Sequence, residues 1–393
     1  MAIPYAPGAP QDRSAERIDW RERFPLLKRK VYLNSCAYGA LAESVREAPS
    51  RYLAIRAECG CAWDQWVERY EALRVSVAAL LGARPEEIAL TTSVSAALNA
   101  LASGLRFDGP RRRIVITDLE FPTHGQIWHA QAARGAEIVQ IPSREGWVSP
   151  ERFAEAVDER TLLIATSEVC YRNGARLPIA QIADIAHRNG ALLLVDSYQA
   201  IGTARETARD HGADIVLGGM MKYLLGTSGI AFACVAGTLI EQISPTATGW
   251  FAQADLGAMD ATAHRPSRSA RRFEAGTPPV INVYMAEEGL SLIREAGLGP
   301  VEERIRGLTA AIRRRAREAG YECATPERHG AMIALRCVDA AALVAALGKE
   351  AIVTSTRDNN LRVSTHFYND ESDLDALFEA LRRHEDLLAR DSS

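Results

Sequence analysis

Residues 191–222 read ALLLVDSYQAIGTARETARDHGADIVLGGMMK and contain two short apolar segments, each leading to a reactive side chain. Residues 191–195 are followed by Asp196, and residues 214–217 lead through two glycines and two methionines to Lys222. Continuous apolar runs of this length are typical of strands that are buried on both faces of a parallel sheet. The stretch therefore predicts two buried strands with a carboxylate and an amine near their carboxyl ends.

The rest of the first half of the chain repeats this alternation of apolar strands and amphipathic helices. Strands are predicted at residues 88–91, 113–117, 137–141, 162–166, 191–195, 214–217 and 230–235, and helices at 94–101, 126–134 and 179–189. This order predicts an α/β fold with a mainly parallel sheet covered by helices.

The pattern changes after residue 237. Residues 244–279 are rich in Gly, Pro, Ala and Arg with little periodicity, which predicts a long functional loop region. Helices predicted at 283–295, 301–319 and 374–388 and strands at 332–337 and 361–364 suggest a smaller α+β domain. We predict an N-terminal arm and short helix over 1–30, a large domain over 31–265 and a small C-terminal domain over 266–393.

Composition narrows the class of protein. The chain has 393 residues, 47% of them hydrophobic and 24% charged, which excludes a wholly disordered chain or a coiled coil. A net charge of −4 gives no electrostatic reason to expect nucleic acid or a membrane as partner, so we expect a small-molecule substrate. Seven scattered cysteines and no signal-peptide pattern predict a cytoplasmic protein without a disulfide framework, and no metal site is predicted at Cys59-Gly60-Cys61.

Chemically reactive groups follow three of the predicted strands. In an open parallel sheet, ligands bind at the carboxyl ends of the strands. The three groups are Asp196, Lys222 and the segment through Ser93 that runs into a helix. Each has an ordinary alternative: a loop carboxylate, a solvated lysine and a helix cap. Together they match the needs of pyridoxal phosphate: a lysine for the Schiff base, a carboxylate for the pyridine nitrogen and a helix N-terminus for the phosphate.

Seven ordered blocks carry a resemblance to a known family. They are residues 32–39 (YLNSCAYG), 91–99 (TTSVSAALN), 120–124 (EFPTH), 195–202 (VDSYQAIG), 222–226 (KYLLG), 272–278 (RFEAGTP) and 361–369 (LRVSTHFYN). From about residue 32 to residue 381 the chain resembles the class V, fold-type I aminotransferases, the group that includes cysteine desulfurases, isopenicillin-N epimerase and kynureninase.

The resemblance implies a role for individual residues around bound pyridoxal 5′-phosphate. Lys222 would hold the cofactor and move the substrate proton, and Asp196 would contact the pyridine nitrogen. The other cofactor contacts that it implies are Val94 and Ser95 at the phosphate, Phe121 stacked on the ring, Gln199 at the phenolic oxygen, Tyr171 near that oxygen, and Thr277 at the phosphate of a neighbouring subunit. Arg362 would pair with the substrate carboxylate, with Asn34 also near the substrate, and the shared threonine implies a homodimer.

The chain also departs from the family pattern. Many relatives have Ser-x-His before the lysine, both contacting the phosphate, whereas this chain has Gly219-Met220-Met221. Tyr198, Ser93 and Thr277 are candidates to replace those donors. His124 either contacts phosphate or substrate or is a surface histidine, and Arg357 is either a second anion contact or a loop charge.

Cysteine desulfurases carry a nucleophilic cysteine on the loop before the C-terminal arginine. Residues 352–360 contain no cysteine, so desulfuration is not expected, and Cys337 is interpreted as a buried structural thiol. The resemblance implies an enzyme acting at the α-carbon of a small α-amino acid, and we expect an aminotransferase. A β-eliminating C–S lyase or an epimerase of the same fold is the alternative, and a binding or regulatory protein that lacks chemistry is a third possibility.

Overall fold

A computed structural model describes residues 19–391 of the chain. The strands are β1 (Val31–Tyr32), β2 (Ile88–Thr91), β3 (Arg113–Thr117), β4 (Glu137–Ile141), β5 (Thr161–Ser167), β6 (Leu192–Asp196), β7 (Ile215–Gly219), β8 (Ala231–Val235), β9 (Met332–Arg336), β10 (Ile352–Val353), β11 (Ser355–Arg357) and β12 (Asn360–Ser364). The α-helices are α1 (Glu43–Cys59), α2 (Trp63–Leu80), α3 (Val94–Gly104), α4 (Pro122–Ala130), α5 (Pro150–Ala156), α6 (Ile179–Arg188), α7 (Gly237–Ile240), α8 (Val280–Ala296), α9 (Leu298–Glu318), α10 (Ala340–Lys349) and α11 (Glu371–Arg383).

The central sheet has seven strands in the order β2-β8-β7-β6-β5-β3-β4. Strands β4, β3, β5, β6 and β7 are parallel, and β8 runs antiparallel to both β7 and β2. Every residue of β2, β7 and β8 is buried, because helices cover both faces of the sheet. The α/β fold class with a mainly parallel sheet is therefore confirmed.

A smaller α+β unit follows in the chain. Strand β12 lies between β11 and β9 in an antiparallel sheet, and β1 pairs in parallel with β10. This unit has a core of its own, in which Leu361 and Val363 of β12 pack with buried residues of α9, α10 and α11. Helix α8, by contrast, packs on α1 and α2 within the core of the large sheet. The packing of α8 thus favours a division of the domains later than residue 266, and the predicted boundary stays a prediction.

Helices α4 and α11 begin earlier than predicted, and in each the residues at the start of the helix explain the difference. Helix α4 begins at Pro122 and not at residue 126, since proline is well suited to the first helical position. Helix α11 begins at Glu371 and not at residue 374, because Asp370 and Asp373 form a capping box. The short N-terminal helix is a pair of 3-10 turns, Trp20–Arg23 and Pro25–Lys28, and the predicted arm before residue 19 lies outside the described residues.

The loop region predicted at residues 244–279 contains two 3-10 turns, Trp250–Ala252 and Ala270–Phe273. Between residues 19 and 391, no helix is both long and apolar enough to cross a membrane. The predicted cytoplasmic location stays a prediction.

Candidate active site

A pocket of about 230 Å³ opens at the carboxyl ends of β6 and β7. It is lined by every predicted cofactor contact except Thr277, namely Val94, Ser95, Phe121, His124, Tyr171, Asp196, Tyr198, Gln199 and Lys222. A wider cleft of about 790 Å³, which includes Arg205 and Glu302, contains none of these residues. The chemistry-bearing side chains therefore converge on the smaller pocket.

Asp196 ends β6 and is almost completely buried. Its Oδ1 accepts a hydrogen bond from the Tyr198 backbone N–H at 2.8 Å, and its Oδ2 lies 3.2 Å from Nε2 of His124. Burial alone would raise the pKa of Asp196, but the neighbouring His124, the Tyr198 N–H and the Lys222 ammonium lower it below its usual value. The site thus favours an ionised carboxylate where a cationic pyridinium would need one.

His124 is completely buried between two carboxyl groups and is not at the surface. Burial acts to lower the pKa of His124, but Asp196 and Glu120 together raise it. The Glu120 carboxyl in turn accepts hydrogen bonds from the hydroxyls of Thr117, Thr166 and Ser167, at 2.7, 2.9 and 2.7 Å. The structure therefore places His124 against Asp196, where it can hold that carboxylate in position.

Lys222 follows β7 by three residues, and its amine lies between two aromatic rings. The Nζ atom is 4.5 Å from the ring centroid of Tyr198 and 5.9 Å from that of Phe121. Burial lowers the pKa of Lys222, and Arg362 adds to this effect, while Asp196 opposes it. A lowered pKa increases the share of neutral amine, which is the form that attacks an aldehyde or accepts a proton.

The N-terminus of α3 forms another wall of the pocket. Ser93 caps this helix, because its Oγ accepts a hydrogen bond from the Ala96 N–H at 3.0 Å. The Oγ of Ser95 lies 3.0 Å from Oγ1 of Thr123. Free N–H groups in the first helical turn and the helix dipole suit this wall to an anion such as phosphate.

Two of the predicted substrate contacts, Arg362 and Arg357, lie beside Tyr171, whose ring meets the ring of Phe121 edge-on at a centroid distance of 5.1 Å. Arg362 donates from Nη1 to the Tyr171 carbonyl at 2.8 Å and from Nη2 to Ser355 Oγ at 2.9 Å. Its Nε is buried and has no hydrogen-bond partner. The Arg357 guanidinium lies 5.6 Å from the centroid of the Tyr171 ring. The buried Arg362 therefore keeps one N–H group, at Nε, without a partner, beside a residue that lines the pocket.

Four predicted contacts are not among the residues that line the pocket: Asn34, Thr277, Arg357 and Arg362. Asn34 forms a β-bridge with Ser364, and Thr277 is exposed and lines a separate cleft of about 290 Å³. Thr92 lines both that cleft and the pocket, so Thr277 lies on the far side of the segment that leads into α3. Gln199 does line the pocket, where its amide donates to the Cys36 carbonyl at 2.9 Å.

Sequence reasoning missed Glu120 and its hydroxyl partners. The signal was available, since Thr166 and Ser167 end β5 at the same edge of the sheet as Asp196, where ligands of parallel sheets bind. Among residues 19–391, no three or more His, Cys, Asp or Glu side chains form a group that could bind a metal ion.

Comparison with known proteins shows the family. The model of the family "Aminotransferase class-V" matches residues 62–377. The chain is 33% identical to an uncharacterized aminotransferase, YcbU, of Bacillus subtilis, with 90% of this chain and 94% of that protein covered. It is 30% identical to isopenicillin N epimerase of Streptomyces clavuligerus, with 92% and 98% covered.

A solved structure of a cysteine desulfurase from Thermococcus onnurineus has the same fold, with a TM-score of 0.84 at 21% identity and with 93% and 96% of the two chains covered. The polar groups of the pocket also fit the cofactor of this family: a buried amine between two rings, an ionised carboxylate and a helix N-terminus. The chain therefore belongs to the class V aminotransferase family, and its cofactor is pyridoxal 5′-phosphate.

Proposed function

We propose that the protein is an aminotransferase that acts at the α-carbon of a small α-amino acid. The observation that carries the proposal is Arg362, a buried guanidinium with one unpartnered N–H, beside the carbonyl of a pocket residue. A buried cation of this kind fits a planar carboxylate, which can accept two parallel hydrogen bonds from one guanidinium. The relationship to an aminotransferase over most of both chains supports the choice of reaction.

The described residues have distinct tasks in such a reaction. Bound pyridoxal phosphate supplies an electron sink for the bond that breaks at the α-carbon. Lys222 would hold the cofactor covalently and would carry the α-proton of the substrate. Asp196, which lies against His124, would supply a negative charge to the pyridine nitrogen. Arg362 would fix the substrate carboxylate and so orient the α-carbon.

The segment before Arg362 supports transamination over persulfide chemistry. Strands β11 and β12 are joined by a tight turn in which Asp358 and Asn359 both have positive φ, as in type I′ hairpins. Arg172 pairs with Asp358 and ties this turn to the loop after β5. No residue between 352 and 360 is a cysteine, so the turn offers no thiol to a substrate sulfur.

Epimerisation is a second candidate, because the chain is 30% identical to an isopenicillin N epimerase over nearly its whole length. The β-elimination of a C–S bond is a third outcome of the same proton removal. The three reactions differ in where the proton returns and in whether the side chain carries a leaving group.

A panel of amino acids separates these reactions. We expect the holoenzyme with a 2-oxo acid to convert at least one amino acid into its 2-oxo acid, with equal formation of a new amino acid. Inversion of the α-carbon without an acceptor, or release of ammonia and a C–S cleavage product, would overturn the proposal in favour of an epimerase or a lyase.

Arg362→Lys should weaken binding of the amino acid by about 10- to 100-fold, the range for hydrogen bonds to charged groups. Binding of the matching amine without a carboxylate should not change.

We also propose a homodimer with shared active sites. Thr277 is exposed and lies outside the pocket of its own chain, which supports a role towards a second copy. Sedimentation of the holoenzyme tests this directly, and a monomer that keeps its cofactor would contradict it.

A further inference from the structure

We infer that the Tyr198 hydroxyl donates a hydrogen bond to the cofactor phosphate, and that residue 219 is glycine because the Tyr198 ring fills the space of its side chain. The inference rests on the assignment of pyridoxal phosphate to this pocket and concerns how this chain holds it without the Ser-x-His donors.

The contact between Tyr198 and Gly219 is the first observation. A Cβ atom built on Gly219 would lie 2.3 Å from Cζ, 2.4 Å from Oη and 2.5 Å from Cε2 of Tyr198. Contacts of this length do not occur, so no side chain fits at residue 219 while the ring is in place. Gly219 is not among the glycines with positive φ, so its backbone does not require glycine. The phenol therefore occupies the volume that a side chain at residue 219, such as the serine of the family pattern, would need.

The position of Gly219 in the sheet shows which end of the pocket the hydroxyl faces. Asp196 pairs with Leu217, and Gly219 lies two residues beyond it on β7. Across the sheet Gly219 pairs with Ala231, and Ala231 pairs with Thr91, which leads into the N-terminus of α3. Two adjacent strand spacings are about 10 Å. The Tyr198 hydroxyl is thus displaced from the Asp196 carboxylate towards the helix end that suits a phosphate.

The other side chains of the pocket indicate why a phosphate would need the Tyr198 hydroxyl. Gly219 and Met221 offer no side-chain donor, and the basic side chains among the residues that line the pocket are Lys222 and His124. His124 lies against Asp196, and Lys222 is required for the covalent link. Burial and the nearby Asp196 carboxylate raise the pKa of Tyr198, so its phenol keeps its proton and can donate. A phosphate in this pocket would depend on backbone N–H groups and on hydroxyls, and the Tyr198 hydroxyl is the one that lies against Gly219.

The test compares two ligands that differ only in the phosphate. Apoprotein is titrated with pyridoxal phosphate and with pyridoxal, and binding is followed by the visible absorbance of the cofactor. Tyr198→Phe should weaken binding of pyridoxal phosphate by about 10- to 100-fold, as for loss of a hydrogen bond to a charged group. Pyridoxal binding should stay within about twofold. Tyr284→Phe, which removes a buried hydroxyl from α8 outside the pocket, is the matched control and should change neither affinity.

Equal losses for both ligands would overturn the inference, because Tyr198 would then act only as a surface for the ring. No loss for either ligand would overturn it as well. A wild-type protein that binds neither ligand would instead overturn the assignment of the cofactor.

The steric half of the inference has its own test. Gly219→Ser should lower both the melting temperature of the apoprotein and the affinity for pyridoxal phosphate, because serine and the ring exclude each other. Adding Gly219→Ser to Tyr198→Ala should raise affinity above that of Tyr198→Ala alone, since the serine hydroxyl then has room. If Gly219→Ser fails to fold, comparing the double variant with Tyr198→Ala still tests whether the serine can replace the tyrosine as a donor. A double variant that binds no better than Tyr198→Ala would contradict the exchange of donors.

Discussion

Glu274 is expected to anchor the loop that carries Thr277, and Glu274→Gln tests how strongly. Its carboxylate is 1% exposed, and the guanidinium that it meets at 2.5 Å, Arg74, is 3% exposed. Oε1 also accepts the Leu90 N–H at 2.9 Å, and Oε2 accepts the Tyr70 hydroxyl at 3.3 Å. Removing one partner of a buried ion pair costs about 3–5 kcal/mol. We expect about 3 kcal/mol, because Arg74 keeps its bonds to Glu71 and to the Ile88 carbonyl.

Denaturant unfolding of wild type and variant measures this loss as a shift of the midpoint at an unchanged slope. Glu287→Gln is the matched control, since Glu287 pairs with Arg69 at 3.0 Å where the two side chains are 22% and 40% exposed. Such exposed pairs contribute about 1 kcal/mol or less. Replacing both Arg74 and Glu274 by methionine should cost less than Glu274→Gln alone, because no unpaired charge remains. Equal losses for Glu274→Gln and Glu287→Gln would refute the reasoning.

Lys222→Ala should abolish turnover and leave the protein folded, and borohydride should no longer fix cofactor to it; fixation to the variant would identify another lysine as the anchor. Thr277→Ala should lose cofactor on dialysis without a change in sedimentation mass, whereas a turn threonine with only local contacts would retain it fully. For His124→Asn, the loss of apoprotein stability should shrink as the pH rises. The raised pKa of His124 means that its contribution is full below its usual 6.5 and is lost as the pH rises through the raised pKa. Asp196, whose pKa is lowered, contributes above its usual 3.8 and loses that contribution as the pH falls through the lowered pKa. Unfolding at pH 6 and pH 9 compares the two conditions, and an equal loss at both would contradict the charge on His124.

The strands of the large sheet could be predicted to within two residues because each contains a short apolar run, which in β2, β7 and β8 is buried throughout. Strands β3 and β4 begin and end where the apolar pattern does. Helix α1 gave no such signal, since it contains Pro49 and its fully buried residues are Val45 and Ala48. Strands β1 and β10 pair over two residues only, and a pair so short has no periodicity to read.

The site was predictable where chemistry follows from position along the chain, and not where it depends on contacts. Asp196 and Lys222 follow predicted strands, so the edge of the sheet brings them together. The contact of Tyr198 with Gly219 depends on the register of β6 against β7, which no local pattern specifies. The bond from Arg362 to the Tyr171 carbonyl likewise joins residues 191 positions apart, one in β12 and one in the turn after β5.

The pKa shifts of Asp196 and Lys222 explain how one small pocket can hold both an ionised carboxylate and an amine that acts as a base. Burial by itself would neutralise both groups, because low polarity disfavours any charge. For Asp196 the adjacent His124 reverses that tendency and lowers the pKa of the carboxyl, so it stays ionised. For Lys222 burial prevails, with help from Arg362, and the pKa of the amine falls. His124 therefore separates two neighbouring groups that burial would treat alike.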